Sequence, residues 1–285
     1  MSESTLNPEI KEIEPRVKVL IIDVQPGTKQ NVRISQELFG SDADSIEKFS
    51  QLAVTSIHSP KRDVEPDFNE RERKSLLHIP DSVEDFAAIV VTGSPYAAYP
   101  RDTKEGLFLA NWKNELFRFI RAANEHSVPF LGICFGEHAL AEALGGKVVK
   151  MRSKKGAEVA ERAWGEIRKA PAATNDPLLK DLPSKFVAPE NHEDIVARLP
   201  EGATLLAENE YGVQGFRIGN SWGFEFHSER RPDKVKDFFK DKENLDELKR
   251  QGKKPSAIQK LGEKYDATIR SIFSNFLKLA WSGVQ

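Results

Sequence analysis

Two patterns of apolar residues alternate along the chain. Val17 to Val24 (VKVLIIDV), Phe86 to Thr92 (FAAIVVT) and Val128 to Ile133 (VPFLGI) are short, β-branched runs that are apolar at almost every position, as strands buried on both faces of a parallel sheet must be. They run into Gln25-Pro26-Gly27, Gly93-Ser94-Pro95 and Cys134 respectively, which predicts three strands ending in loops. Between the last two, Leu109, Trp112, Leu116, Phe119, Ile120 and Ala123 recur at spacings of three and four. That stripe predicts a helix laid on a sheet face. Strand, helix, strand in this order predicts a right-handed parallel crossover.

Beyond Cys134, Ala139, Leu140, Ala143 and Leu144 predict a short amphipathic helix closed by Gly145-Gly146. The pattern then changes. Lys147 to Met151, Phe186 to Ala188, Ala203 to Ala207, Val213 to Ile218 and Trp222 to His227 are short and strand-like, so this half is expected to be strand-rich and partly antiparallel. Arg230 to Lys254 carries 16 charged residues in 25, ten basic and six acidic, the signature of a solvated helical face. Ile258, Leu261, Tyr265, Ile269, Ile272, Phe276 and Ala280 then keep helical spacing and predict one long amphipathic helix docked on the domain. These shifts divide the 285 residues into a tail over 1–16, a domain over 17–229 and a charged, amphipathic helical extension over 230–285.

Composition narrows the function classes. Hydrophobic residues are 39% and charged residues 30% of the chain, the balance of a globular protein in water. The longest run without Asp, Glu, Lys or Arg, from Phe86 to Pro100, is too short to span a bilayer, so no membrane partner is expected. A formal net charge of -2 gives no general attraction to nucleic acid. The first sixteen residues are acidic and lack a secretory pattern, which predicts a cytoplasmic protein. A single cysteine, Cys134, excludes an intrachain disulfide and any multi-cysteine metal site, and no metal or cofactor is expected.

Cys134 sits in Gly132-Ile133-Cys134-Phe135-Gly136, between an apolar strand and a short helix. This is the form of a nucleophile elbow, in which a sharp turn presents the side chain and the residues two before and two after must be small. The start of a helix at the sulfur is expected to favour thiolate. The competing reading is an inert buried cysteine, against which the two glycines, the strand and the helix all count. A thiol nucleophile needs a base and a group to orient it. His227, at the end of a predicted strand in Trp222 to Glu229 (WGFEFHSE), has Glu229 two residues on, on the same side if the extended conformation persists.

Taken together, GICFGEHALAEALGGKV (Gly132 to Val148), WGFEFHSE, VVTGSPYAAY (Val90 to Tyr99) and NHEDIVARLPEGATLLAEN (Asn191 to Asn209) resemble the class I glutamine amidotransferases, with patterns G-x-C-x-G-x-Q, Q-F-H-P-E, a Gly-containing oxyanion loop and H-x-D-x-V. TGSP and GICFG are similar to the stand-alone branch that includes γ-glutamyl peptidases. The resemblance implies a three-layer, flavodoxin-like α/β fold, mostly parallel with an antiparallel portion. It also implies a catalytic triad of Cys134, His227 and Glu229, with an oxyanion hole at Gly93, Ser94 and Phe135. The implied reaction is hydrolysis of a γ-glutamyl amide through a γ-glutamyl thioester. Two alternatives stand beside it: a glutaminase subunit delivering ammonia to a separate synthetase, and a retired fold kept as a binding or regulatory protein. A small γ-glutamyl molecule and a synthetase or other enzyme are the implied partners.

The chain departs from the pattern at three places. His138 stands where the family has the Gln four residues after the nucleophile, Glu225 where it has the Gln two before the histidine, and Ser228 where it has Pro. The first is expected to turn specificity away from free glutamine, with His138 either a substrate contact or a surface helix residue. Glu137 is expected to face solvent. Gly156 and Glu158 fall near the family's G-x-E-x-G, and His192 and Asp194 match H-x-D. All four are candidates for substrate binding or for loop shaping.

Overall fold

The computed structural model describes residues 17–24, 50–56, 79–94, 96–99, 104–153, 156–230 and 232–282. The predicted tail over 1–16, the turn at 25–27 and Pro95 lie outside them. Five strands run parallel from one edge of the sheet: β1 (Val17–Asp23), β2 (Ser50–Ser56), β3 (Ala88–Val91), β4 (Phe130–Ile133) and β11 (Ser221–Phe224). Four more continue the sheet antiparallel: β6 (Glu161–Lys169), β7 (Lys185–His192), β9 (Thr204–Glu208) and β10 (Val213–Ile218). The nine-stranded order is β2-β1-β3-β4-β11-β10-β9-β6-β7, and β5 (Lys147–Lys150) pairs separately with β8 (Asp194–Arg198).

Alternation along the central strands makes two cores. Val19 and Ile21 of β1 join Val90, Leu131, Ile133, Trp222 and Phe224 on one face. Leu20 and Ile22 join Ile89, Val91 and Phe130 on the other, under Leu116, Phe119 and Ile120 of α1 (Lys104–Glu125) and Leu140 of α2 (Phe135–Ala143). The first face is closed by the C-terminal segment, whose Ile269, Ile272, Phe273, Phe276 and Ala280 are all buried in it. The sheet therefore lies between two helical layers, because β-branched strands with no polar face need cover on both sides.

Two expectations change. Strands β2, β6 and β8 were not visible in the apolar pattern. The C-terminal stripe is not one long helix. It is divided into α5 (Pro255–Leu261), 3-10 turns at Gly262–Lys264 and Ala267–Arg270, and α6 (Ser271–Ser282). Its charged approach forms α3 (Pro232–Asp237) and α4 (Lys242–Arg250). The backbone turns extended at Tyr265 and Asp266, and at Gly262 it packs directly on Trp164, where a Cβ would lie 2.3 Å from Nε1.

Candidate active site

Parallel strand β4 leads directly into α2, and the turn between them is Cys134. Its φ of 52° and ψ of -106° place a non-glycine residue in a sparsely populated region, the kind of strain held at functional turns. The glycines on either side make the turn sterically feasible. A Cβ on Gly132 would come within 2.3 Å of the Gly136 carbonyl oxygen, and one on Gly136 within 2.2 Å of the Val91 oxygen. The His138 amide donates to the Cys134 carbonyl at 3.0 Å, starting the helix at the nucleophile position.

Cys134, His227 and the Gly93 loop converge. A Cβ on Gly93 would lie 2.9 Å from His227 Cε1, 3.4 Å from Cys134 Cβ and 3.8 Å from Cys134 Sγ. The imidazole and the thiol thus border the same small space beside Gly93, which a side chain at that position would invade. His227 Nδ1 is hydrogen-bonded to Glu229 Oε1 at 2.6 Å. Its Nε2 is buried with no hydrogen-bond partner among the described residues. The contact with Glu229 does not come from extended alternation. Strand β11 ends at Phe224, and a turn closed by the Arg230 amide on the His227 carbonyl (3.2 Å) brings Glu229 back to the ring.

Cys134 is 5% exposed rather than open to solvent, and burial, reinforced by the Glu225 charge, raises the thiol pKa well above its ordinary value. The Phe135 amide hydrogen bond and the Arg230 charge pull it down without overcoming burial. The expected thiolate therefore gives way to a thiol in the substrate-free protein. Burial acts against the Glu229 carboxylate too, but His227 and Arg230 outweigh it and hold its pKa below the usual carboxylate range. The Ser94 hydroxyl donates to the Val24 carbonyl (3.0 Å) and accepts from the Tyr96 amide (3.2 Å), pinning the Gly93 loop to the end of β1.

Behind the elbow lies a second set of titratable groups. His138 is not a surface residue: it is 3% exposed and its Nε2 meets Glu225 Oε2 at 2.6 Å. The two departures from the family pattern are thus each other's partners. Glu137 is fully buried, not solvent-facing. Its Cγ occupies the place a Cβ on Gly223 would need, and burial and the Glu225 charge raise its pKa. Burial opposes ionisation of Glu225, yet the His138 and His192 imidazoles hold its pKa at about 2. Beyond it are Glu190, pushed up to about 8 by burial, and His192, whose pKa burial would lower but Glu225, Glu161 and Glu190 raise.

The remaining candidates separate. His192 belongs to this buried set, while the Asp194 carboxylate accepts from the Tyr99 hydroxyl at 2.8 Å and ties β8 to the loop after Gly93. Gly156 and Glu158 lie on an exposed hairpin, where Arg152 bonds both the Gly156 carbonyl and the Glu158 carboxylate. Reasoning from the sequence missed Glu161, Glu190 and Gln214, whose strands show no clean alternation.

Residues 44–242 match the family model "Glutamine amidotransferase class-I". The chain is 30% identical over 154 residues to a glutamine-hydrolysing GMP synthase of Porphyromonas gingivalis, a match covering 53% of this chain and 26% of that protein. A GMP synthase of Thermosipho africanus is likewise 30% identical over 146 residues, 50% of this chain and 24% of its own length. The match thus takes in about a quarter of these relatives. Among solved structures, a glutamine amidotransferase from Thermotoga maritima superposes with a TM-score of 0.64 at 22% identity, covering 93% of this chain and 99% of that one. A glutamine amidotransferase from Methylobacillus flagellatus gives 0.60 at 18% identity over 93% and 96% of the two chains. These two likenesses establish the shared fold.

Proposed function

Since the chain belongs to the class I glutamine amidotransferase family, we propose that it hydrolyses a γ-glutamyl amide through a thioester on Cys134. The observation that carries this reading is the convergence of His227 and Cys134 on the one space beside Gly93 that a Cβ would fill, with Nδ1 of the imidazole held by Glu229 and Nε2 left without a hydrogen-bond partner among the described residues. A ring anchored at Nδ1 by a carboxylate keeps its other nitrogen available as a base, which suits a thiol that is not already ionised.

Each step follows from that arrangement. His227 Nε2 takes the proton from Cys134 as sulfur attacks the γ-carbonyl carbon, forming a C–S bond and an oxyanion. The Phe135 amide, already directed at the sulfur, and the backbone of Gly93 and Ser94 form the oxyanion hole, where fixed N–H groups act most strongly in a water-poor site. The C–N bond then breaks, and the amine leaves with the proton from His227. Water, deprotonated by the same nitrogen, attacks the thioester, releases glutamate and restores the thiol. Glu229 keeps the ring oriented and stabilises the imidazolium.

The likeness to glutamine-hydrolysing GMP synthases favours a second reading, in which the amide is glutamine and the ammonia passes to a separate synthetase. Glutamate release from glutamine, glutathione, γ-glutamyl amines and γ-glutamyl peptides separates the two. Turnover of larger γ-glutamyl amides by the isolated protein is the expected result. Ammonia from glutamine alone, and only with a synthetase present, selects the second reading. No release from any of them, with an unreactive thiol, leaves the retired binding fold.

A further inference from the structure

Glu161, Glu190 and His192 form a cluster that has no step in the reaction above. We propose that this trio is a binding site for one divalent transition-metal ion of the zinc type, clamping β6 to β7. No metal was expected from the sequence, whose single cysteine excludes only a multi-cysteine site; Glu161 comes from β6, and Glu190 and His192 from β7.

The three offered donor atoms lie within 4.8 Å of one another, all buried. His192 Nδ1 is 2.9 Å from the Asp194 carbonyl oxygen, so it carries the hydrogen of that bond and turns Nε2 toward the two carboxylates. This is the second contact by which proteins orient a metal-binding imidazole. Nε2 is 3.2 Å from Glu161 Oε2 and 3.4 Å from Glu190 Oε2. Among the described residues, Nε2 and both Glu190 oxygens have no hydrogen-bond partner, although both side chains are almost wholly buried.

The separations discriminate between a proton and a metal. A charge-assisted N–H to carboxylate bond closes to about 2.7–2.9 Å, whereas two ligands of a tetrahedral ion with bonds of about 2.0–2.2 Å sit roughly 3.3–3.6 Å apart. The 3.4 Å contact of His192 with Glu190 falls within the second spacing, and the 3.2 Å contact with Glu161 lies between the two. The neighbouring Glu137, His138 and Glu225 group provides the contrast: His138 and Glu225 close to 2.6 Å, the distance of a shared proton.

The surroundings also fit an ion. Asn209 donates to both oxygens of Glu161 at 2.9 and 2.7 Å, and Gln214 donates at 3.0 Å, fixing that carboxylate. A Cβ on Gly165 would lie 2.8 Å from Glu190 Cγ, 3.0 Å from its Oε1 and 3.3 Å from Glu161 Oε1, so glycine keeps the space open. Glu161 and Gly165 also line a cavity of about 570 Å³ between β6, residues 208–211 and the C-terminal helices, which offers an entry route. One imidazole and two carboxylates suit zinc or cobalt better than magnesium or calcium, which prefer oxygen alone.

The test uses the full chain, stripped with a chelator and titrated with zinc and then cobalt. One ion per chain, a raised Tm and a visible cobalt absorption without the intense thiolate band are expected, unchanged in Cys134→Ala. Glu190→Gln should weaken binding at least about 100-fold, given that even outer-shell changes cost 10–100-fold, while Glu158→Gln on the exposed hairpin should not. A folded protein that takes up no zinc at micromolar concentration overturns the proposal. So does a cobalt thiolate band, which would place the ion on Cys134, or undiminished binding by folded Glu190→Gln. If that variant fails to fold, the wild-type stoichiometry and the cobalt spectrum of Cys134→Ala still decide.

Discussion

Two buried histidine–glutamate pairs flank the nucleophile, each closed at 2.6 Å. His227 meets Glu229 through Nδ1, within one turn, and its Nε2 has no hydrogen-bond partner among the described residues. His138 meets Glu225 through Nε2, across 87 residues of sequence, with Glu225 held ionised to about pH 2. The contact is the same length, but the nitrogen used differs. A pair that binds at Nδ1 and leaves Nε2 unbonded is arranged to move a proton. A pair closed at Nε2 and packed behind the elbow joins helix α2 to the end of β11.

Breaking the first pair should have the largest effect. Cys134→Ala should abolish turnover, and His227→Ala should reduce kcat/KM by about 10³-fold or more, with the fold retained by circular dichroism. Glu229→Gln should cost less than His227→Ala, because an orienting group is partly replaceable by an amide.

Breaking the second pair should register first as stability. Glu225→Ala leaves His138 buried opposite nothing and should destabilise by about 3–5 kcal/mol in denaturant unfolding. The double change His138→Gln with Glu225→Gln should recover most of that loss. The sign of its pH dependence follows from the depressed pKa of Glu225. The pair's contribution is complete above the ordinary carboxylate value and lost as pH falls towards about 2, so the double variant should lack this acid-sensitive component.

A smaller effect links the two regions. Burial and then the Glu225 charge hold the Cys134 proton on, so alkylation of the free enzyme should accelerate as pH rises above neutrality. In Glu225→Gln the profile should shift to lower pH, by less than about one unit. The smallest expected change is in selectivity. If the pair shapes the glutamyl pocket, the double glutamine variant should shift the kcat/KM ratio towards free glutamine by about tenfold, or ~1.4 kcal/mol. An unchanged ratio would make the pair purely structural.

The comparison also explains what was legible in the sequence. The parallel strands were visible because Val19 to Ile22 and Ala88 to Val91 bury both faces, and the elbow because Gly132 and Gly136 have a steric reason visible at fixed spacing. The His227 and Glu229 pair was visible as a local motif, though its contact forms through a turn rather than along a strand. The second pair was hidden because its partners are 87 residues apart. Strand β6 was hidden for a related reason. Its charged Glu161 looks like a surface residue until Asn209, Gln214 and His192 are brought to it from β7 and the β9–β10 region. A buried charge interrupts the apolar period, so periodicity alone missed β6, whereas β7, which carries the buried Glu190, was still visible through Phe186 to Ala188.

Intact-mass analysis of the protein quenched during turnover of a γ-glutamyl amide tests the central claim most directly. The account predicts a glutamyl adduct mapped by peptide sequencing to Cys134, absent in Cys134→Ala and formed far more slowly in His227→Ala. Turnover by Cys134→Ala at the wild-type rate, or an adduct mapped to another residue, would contradict it.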